Sequence, residues 1–234
     1  MPTSGGAFDI TIAPISWLWD FDENPRLPQA ETIEALLPAV NYENVSLLED
    51  GTAALQTHST ALDLGAVGKG AACDAAVDAY EEAGINRAVV SVGGSVGVYG
   101  EKPGGQPWTI ALRDPDTEGS LGTLSLASGF LSTSGSYEKQ FTEDGVTYHH
   151  LLDPDTGYPA ESGCCPSPCG AAAEPQRRPL HRLLCAGHGG QLPVLEQFDS
   201  QALFITQERQ IYLTSGLEDG VHFEFRDYTL AGTV

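Results

Sequence analysis

With 234 residues and 41% hydrophobic content, the chain can bury a core as one large domain or two small ones. Its 32 acidic and 11 basic residues leave a net charge of −21, which excludes a nucleic-acid partner and suits high solubility and divalent cations at carboxylates. No run reaches the ~20 consecutive apolar residues of a membrane-spanning helix. The opening Met1-Pro-Thr-Ser-Gly-Gly-Ala-Phe-Asp-Ile-Thr-Ile is no export signal either, and it enters an alternating apolar pattern as though a domain were already under way.

Residues 8–19 mix apolar alternation with Pro14 and run into Trp17-Leu-Trp-Asp-Phe-Asp, which predicts a loop or short extended piece with packed aromatics. Residues 28–37 read as a short helix with Ile33, Ala35, Leu36 and Leu37 as apolar positions. Residues 45–48 and 53–57 predict a hairpin around Glu49-Asp-Gly.

Residues 62–80 pass from an apolar lead-in through Gly65, Gly68, Lys69 and Gly70 into an Ala-rich helix predicted over 68–82 and stopped by Gly84. Glycines allow a close backbone approach or positive φ. A helix start adds unpaired N–H groups and a positive dipole end. With the charge of Lys69, these features predict a phosphate cradle. A tight strand-to-helix turn that needs small residues is the plainer alternative.

A β-branched strand over 87–92 leads into Gly93-Gly-Ser-Val-Gly, and strands follow over 108–113 and 121–126. Residues 131–139, Leu-Ser-Thr-Ser-Gly-Ser-Tyr-Glu-Lys, predict a hydroxyl-rich loop that donates to phosphate or ribose oxygens. Residues 148–159 read as a strand entering the tight turn Asp153-Pro-Asp-Thr-Gly, with His149 and His150 on alternate faces. A hairpin over 203–214 and a last strand over 221–225 complete the chain. Mixed helices and hairpins favour an α+β fold with mixed or antiparallel sheets and packed helices over a doubly wound α/β sheet.

Residues 164–193 break this pattern. They hold four of the five cysteines and five of the fifteen prolines but one acidic residue, Glu174, and no helical or strand period survives in them. Cys164, Cys165, Cys169, Cys185, His181 and His188 raise zinc, without the spacing of paired ligand knuckles. A disulfide knot is a second alternative. Translation out of frame is a third. Reading residues 177–192 from the second base of each codon permits Asp-Ala-Leu-Ser-Thr-Ala-Cys-Phe-Val-Leu-Gly-Met-Glu-Asp-Ser-Phe, an amphipathic helix, and reading from the third base of Cys164 permits the strand-like Leu-Ser-Val-Thr-Val.

Four motifs in order, Asp63-Leu-Gly-Ala-Val-Gly-Lys-Gly, Val90-Ser-Val-Gly-Gly, Ser132-Thr-Ser-Gly-Ser-Tyr-Glu and His150-Leu-Leu-Asp-Pro-Asp-Thr-Gly, resemble the ApbE family of flavin transferases. The opening Gly6-Ala-Phe-Asp-Ile-Thr-Ile-Ala-Pro, followed by Leu18-Trp19, fits the same family. The resemblance covers nearly all of the chain outside 164–193. It implies a single ApbE-like, T-fold-like domain over 1–234, lacking the N-terminal part of a usual member. It also implies Mg²⁺-dependent transfer of FMN from FAD to a Thr or Ser hydroxyl of a target flavoprotein, with release of AMP, in the cell envelope. By that resemblance Ala7, Phe8, Asp9, Asp63, Lys69, His150 and Leu152 contact FAD, and the carbonyl of Ala66 is a metal ligand. The family's remaining metal ligands, an Asp-x-x-x-Thr pair, fall where this chain has Arg177 and His181. The out-of-frame reading restores Asp and Thr at both positions. As written, an arginine beside the metal implies weak metal binding and weak or absent transfer.

The rivals fare worse. Residues 65–70 lack the glycine spacing and the Ser or Thr of a P-loop. No βαβ pattern surrounds Gly93-Gly94 to make a Rossmann site. A non-catalytic FAD-binding remnant or interaction domain remains as the alternative function.

Overall fold

Pro14 opens a helix. In the computed structural model, which describes residues 4–133, 135, 138–160, 164–173, 192, 195–224 and 227–234, α1 spans Ala13–Trp19. The extended piece expected over 8–19 is corrected accordingly. Proline is at home in a first helical turn, where its missing N–H has no partner to lose. Ile15 and Trp19, four residues apart, share one fully buried face. Asp20, at φ 48°, ends the helix, and its N–H donates to the carbonyl of Ser16.

The chain forms two units, one of Met1–Leu64 with Ser136–Ser162, the other of Gly65–Gly135 and Gln191–Val234 with the strand Cys164–Ala173. In the first unit α2 (Ala30–Leu36) buries Ile33, and β1 (Val45–Leu47) pairs with β2 (Ala53–Leu55), as expected.

The second unit opens on α3 (Gly65–Glu82). This corrects the expected helix start at residue 68. Gly65, Gly68 and Gly70 lie inside the helix, none with positive φ, so the glycine loop is the first two helical turns. Along α3 only Gly70 and Cys73 are buried, because small residues let the helix lie close on β3 (Ala88–Val92) and β4 (Ser95–Tyr99). Gly84, at φ 72°, stops it as expected, with the N–H of Ile85 returning to the carbonyl of Tyr80.

Gly93 and Gly94, at φ 53° and 85°, make the two-residue turn between β3 and β4. Positive φ at both central residues is the twist a tight hairpin needs. β5 (Trp108–Arg113) and β6 (Ser120–Leu126) match their expected spans closely. β7 (Gly129–Thr133) corrects the hydroxyl-rich loop at its start: Leu131, Ser132 and Thr133 form a sheet strand, while Ser134, Ser136 and Tyr137 lie outside the described residues. The buried hydroxyls of Ser95 and Ser132 satisfy each other at 2.8 Å, which is how Ser132 is accommodated inside the sheet.

β8 (Gln140–Glu143) and β9 (Val146–His149) form a hairpin of the first unit. Phe141 and Tyr148 from this hairpin pack around Trp19 with Phe21 and Tyr158, at ring-centroid distances of 5.3–6.2 Å. Ile15, Trp19, Ile33 and Leu152 are the buried centre of this core.

β10 (Cys164–Ala173) is a strand although no strand period survives in the sequence of 164–193. It pairs antiparallel with β7 on one side and with β11 (Gln201–Thr206) on the other. Two neighbouring ladders, supplied by distant sequence, make it a strand despite a local composition unsuited to one. β12 (Gln210–Leu213), β13 (Val221–Phe223) and β14 (Thr229–Thr233) complete a seven-stranded sheet ordered β14-β12-β11-β10-β7-β4-β3 and a three-stranded sheet ordered β13-β6-β5. Except for the parallel β12–β14 pair, neighbours are antiparallel. Leu112, Leu121, Leu124 and Leu126 from the small sheet meet Val98, Leu131, Leu203, Ile205, Ile211 and Leu213 from the large one in a single apolar core.

Candidate functional site

In the first unit the segment before α1 places Ala7, Phe8 and Asp9. The amide of Ala7 donates to the carbonyl of Ser4 at 3.1 Å and that of Phe8 to the Ser4 hydroxyl at 3.2 Å. Asp9 is buried. One carboxylate oxygen accepts from the Thr11 amide at 2.8 Å and the Thr11 hydroxyl at 2.6 Å, and the other accepts from the Tyr42 amide at 2.8 Å. These donors make Asp9 a clamp that ties the entry segment to the turn at Tyr42–Asn44. The Thr two residues on is legible in sequence, but a partner 33 positions away is not.

Asp63 lies alongside the same segment. Its amide donates to the carbonyl of Ile10 at 2.7 Å, and the Ser16 hydroxyl reaches its carboxylate at 3.4 Å. Asp9 and Asp63 are therefore both fastened to the chain just before and within α1. His150 follows β9, with its ring Nδ1 3.3 Å from the carbonyl of Lys139 and its edge toward Phe21. Leu152 has its side chain in the apolar core with Trp19.

The turn after Leu152 is built by its own side chains. The Asp155 amide donates to the Asp153 carboxylate at 2.8 Å, and the Gly157 amide donates to the Asp153 carbonyl at 2.8 Å. Gly157 has φ 73°, and its carbonyl accepts from Trp19 Nε1 at 2.9 Å. The Asp-Pro-Asp-Thr-Gly motif thus closes on the aromatic core through Gly157, while the His150 amide donates to the Lys139 carbonyl at 3.1 Å. His149, which sequence reasoning left as an alternate-face residue, has a buried Nδ1 with no hydrogen-bond partner among the described residues. Burial pushes its ring pKa below the ordinary 6.5, against opposing contributions from the backbone of His149, Ala160 and Leu151.

In the second unit Lys69 stands on the second turn of α3, half-buried. Among the described residues no carboxylate lies within salt-bridge distance of its ammonium. In a chain with 32 acidic residues, that leaves a cation available to an anionic ligand. Ala66 is the second residue of the helix, where the helical ladder aims a carbonyl at the N–H four residues on.

Magnesium wants a near-octahedral set of oxygen donors. Among the described residues no three His, Cys, Asp or Glu side chains are grouped to hold a metal ion. The Ala66 carbonyl is a single backbone donor, and Arg177 and His181 lie outside the described residues. The described residues do not fit a magnesium site.

The sequence profile of the ApbE family matches residues 2–166. The chain belongs to the ApbE family. A FAD:protein FMN transferase of Klebsiella pneumoniae is 31% identical over 217 residues, covering 89% of this chain and 66% of the relative. One from Rhodobacter capsulatus is 38% identical over 160 residues, covering 67% of this chain and 30% of the relative. The crystal structure of the ApbE protein from Thermotoga maritima superposes with a TM-score of 0.78 at 31% identity, over 95% of this chain and 74% of that one. The expected α+β architecture is therefore that of solved ApbE structures. The chain spans less than two thirds of the length of these curated relatives, and the family match ends at residue 166, just inside the anomalous segment.

Proposed function

We propose that this ApbE chain acts on FAD and a flavoprotein acceptor, moving FMN onto a Thr or Ser hydroxyl and releasing AMP. The observation that carries this reading is the match over residues 2–166 to a family whose curated relatives are named FAD:protein FMN transferase. In the reaction the acceptor oxygen bonds to the FMN phosphorus, the bond from that phosphorus to the bridging oxygen breaks so that this oxygen leaves with AMP, and the hydroxyl proton passes to solvent. Lys69 supplies a fixed positive charge for the pyrophosphate, worth most where water is excluded. Asp63, whose amide binds the Ile10 carbonyl, meets the flavin nucleotide together with the preceding Ala7-Phe8-Asp9, as do His150 and the backbone at Leu152. The extracytoplasmic setting belongs to the same proposal.

Mg²⁺ is the metal this chemistry calls for, to neutralise the pyrophosphate charge. We infer that this copy holds it weakly, because the chain has Arg177 and His181 where an Asp and a Thr are required. The out-of-frame origin of 164–193 is part of this inference, and β10 supports it. Pro166 falls in the register break between Cys164 and Ser167, and Pro168, paired with Phe204 of β11 alone, has no N–H to give that ladder. The alternative frame supplies Leu-Ser-Val-Thr-Val at that place.

Incubation with FAD, Mg²⁺ and an acceptor peptide, read by mass spectrometry, tests the activity. A gain of one FMN on the peptide supports transfer. FAD binding without that gain favours the second reading, a binding remnant, which Arg177 already recommends. Failure to bind FAD refutes both. Resequencing the coding DNA across 164–193 decides the frame, since the same sequence on repetition refutes the out-of-frame origin.

A further inference from the structure

The stem of Lys69 lies across the backbone of Gly93. A β-carbon built on Gly93 would stand 3.3 Å from Lys69 Cε, 3.5 Å from Cδ and 3.9 Å from Cγ. The first distance is tighter than most carbon contacts, so a side chain at 93 makes the end of the lysine give by a few tenths of an ångström. Gly94 has the same kind of positive φ, 85° against 53°, but a β-carbon there meets nothing within 4 Å. The backbone demand for glycine is therefore shared by both positions, and the demand for an empty surface belongs to Gly93 alone.

The turn is itself held in place. Val92 pairs with Ser95 across it, and the buried Ser95 hydroxyl bonds the buried Ser132 hydroxyl on β7 at 2.8 Å. The turn thus offers a fixed, side-chain-free shelf. The lysine laid across it is half-buried and has no carboxylate partner among the described residues, so the shelf sets where its ammonium stands.

We propose that Gly93 is a positioning residue for FAD, acting through Lys69: its missing side chain lets the lysine stem cross the β3–β4 turn and place the ammonium for the pyrophosphate. This rests on the assignment of Lys69 to FAD. A misplaced ammonium forfeits a charge-assisted hydrogen bond, so Gly93→Ala weakens FAD binding by about ten-fold or more.

The test is a double-mutant cycle on the full chain, with FAD affinity from titration calorimetry and, separately, the unfolding midpoint. The variants are Gly93→Ala, Gly94→Ala, Lys69→Ala and Gly93→Ala with Lys69→Ala. Gly93→Ala and Lys69→Ala should each weaken FAD binding, the pair no more than Lys69→Ala alone, and Gly94→Ala less than two-fold. The midpoint lost in Gly93→Ala should be partly recovered when Lys69 is also Ala, since the crowded stem is gone. If Lys69→Ala weakens binding but Gly93→Ala does not, or the two effects multiply, the positioning role is refuted while the Lys69 assignment stands. If Lys69→Ala leaves FAD binding intact, the assignment fails and this proposal falls with it. Equal effects of Gly93→Ala and Gly94→Ala on affinity also refute it, because backbone strain would then be the cause.

Discussion

Replacing Gly157 by alanine should be the most damaging one-carbon change in the first unit. A β-carbon there would lie 2.7 Å from Ile33 Cγ2 and 3.4 Å from both Ile15 Cγ2 and Leu37 Cδ2, in the middle of the apolar core. The residue also sits at φ 73°, where an L side chain costs about 1–2 kcal/mol. Overpacking a filled core adds about 1–3 kcal/mol. Gly145→Ala is the control, since that glycine has φ 80° and nothing within 4 Å of the added carbon. It should show the backbone cost alone. Restriction of the unfolded chain by the new methyl is common to both variants and cancels. Gly157→Ala should therefore be less stable than Gly145→Ala by about 1–3 kcal/mol, a gap of roughly 2–12 °C in Tm for a chain of this size. Thermal unfolding followed by circular dichroism gives the gap. Tryptophan fluorescence should change in Gly157→Ala only, because the Gly157 carbonyl accepts from Trp19 Nε1. Equal losses in the two variants would refute the packing described around Gly157.

Two further outcomes depend on pH. The His149 ring titrates below 6.5 in the folded chain, so the unfolded chain takes up its proton first. The stability associated with the neutral ring is complete above 6.5 and falls as pH drops through the folded value. Urea unfolding of wild type and His149→Gln should show a stability difference that shifts against wild type between pH 7.5 and 5, and a constant difference would refute the burial of that ring. Asp114 is buried: burial works to raise its carboxyl, but hydrogen bonds from the Asp116 amide, the Tyr228 hydroxyl and Thr117 outweigh it and hold the pKa below the ordinary 3.8. Its contribution is present above 3.8 and lost as pH falls through the folded value. Tyr228→Phe removes the donor at 2.8 Å and should cost about 1.5–3 kcal/mol at pH 7, a gap that narrows in acid. A gap unchanged at pH 3 would show that the carboxylate is not what the tyrosine stabilises.

Strands with clean β-branched or alternating patterns, such as β3, β5, β6 and β12, were readable locally because burial on one face leaves a period of two. β4 was hidden in Gly93-Gly-Ser-Val-Gly, whose glycines suggest a loop until both are seen at positive φ in a two-residue turn. β7 was hidden by Ser132, a polar residue acceptable inside a sheet only because Ser95 is there to meet it. α1 was hidden by Pro14, which in the first turn begins a helix as readily as it ends one.

By itself the sequence determined the family and the α+β class. Ordered motifs of glycine, aspartate and histidine depend on residue type and spacing alone. It also marked 164–193 as unusual in composition, which is visible without a fold. Tertiary structure decided what the motif residues do. Asp9 became a clamp because Tyr42, 33 positions on, presents its amide to it. Gly157 proved to be a core residue because Ile33 and Trp19 close over it. Gly93 acquired a reason to be bare because the stem of Lys69, on α3, lies across it. Each is a contact between residues far apart in the chain, formed only when separate elements pack, and no local pattern encodes it.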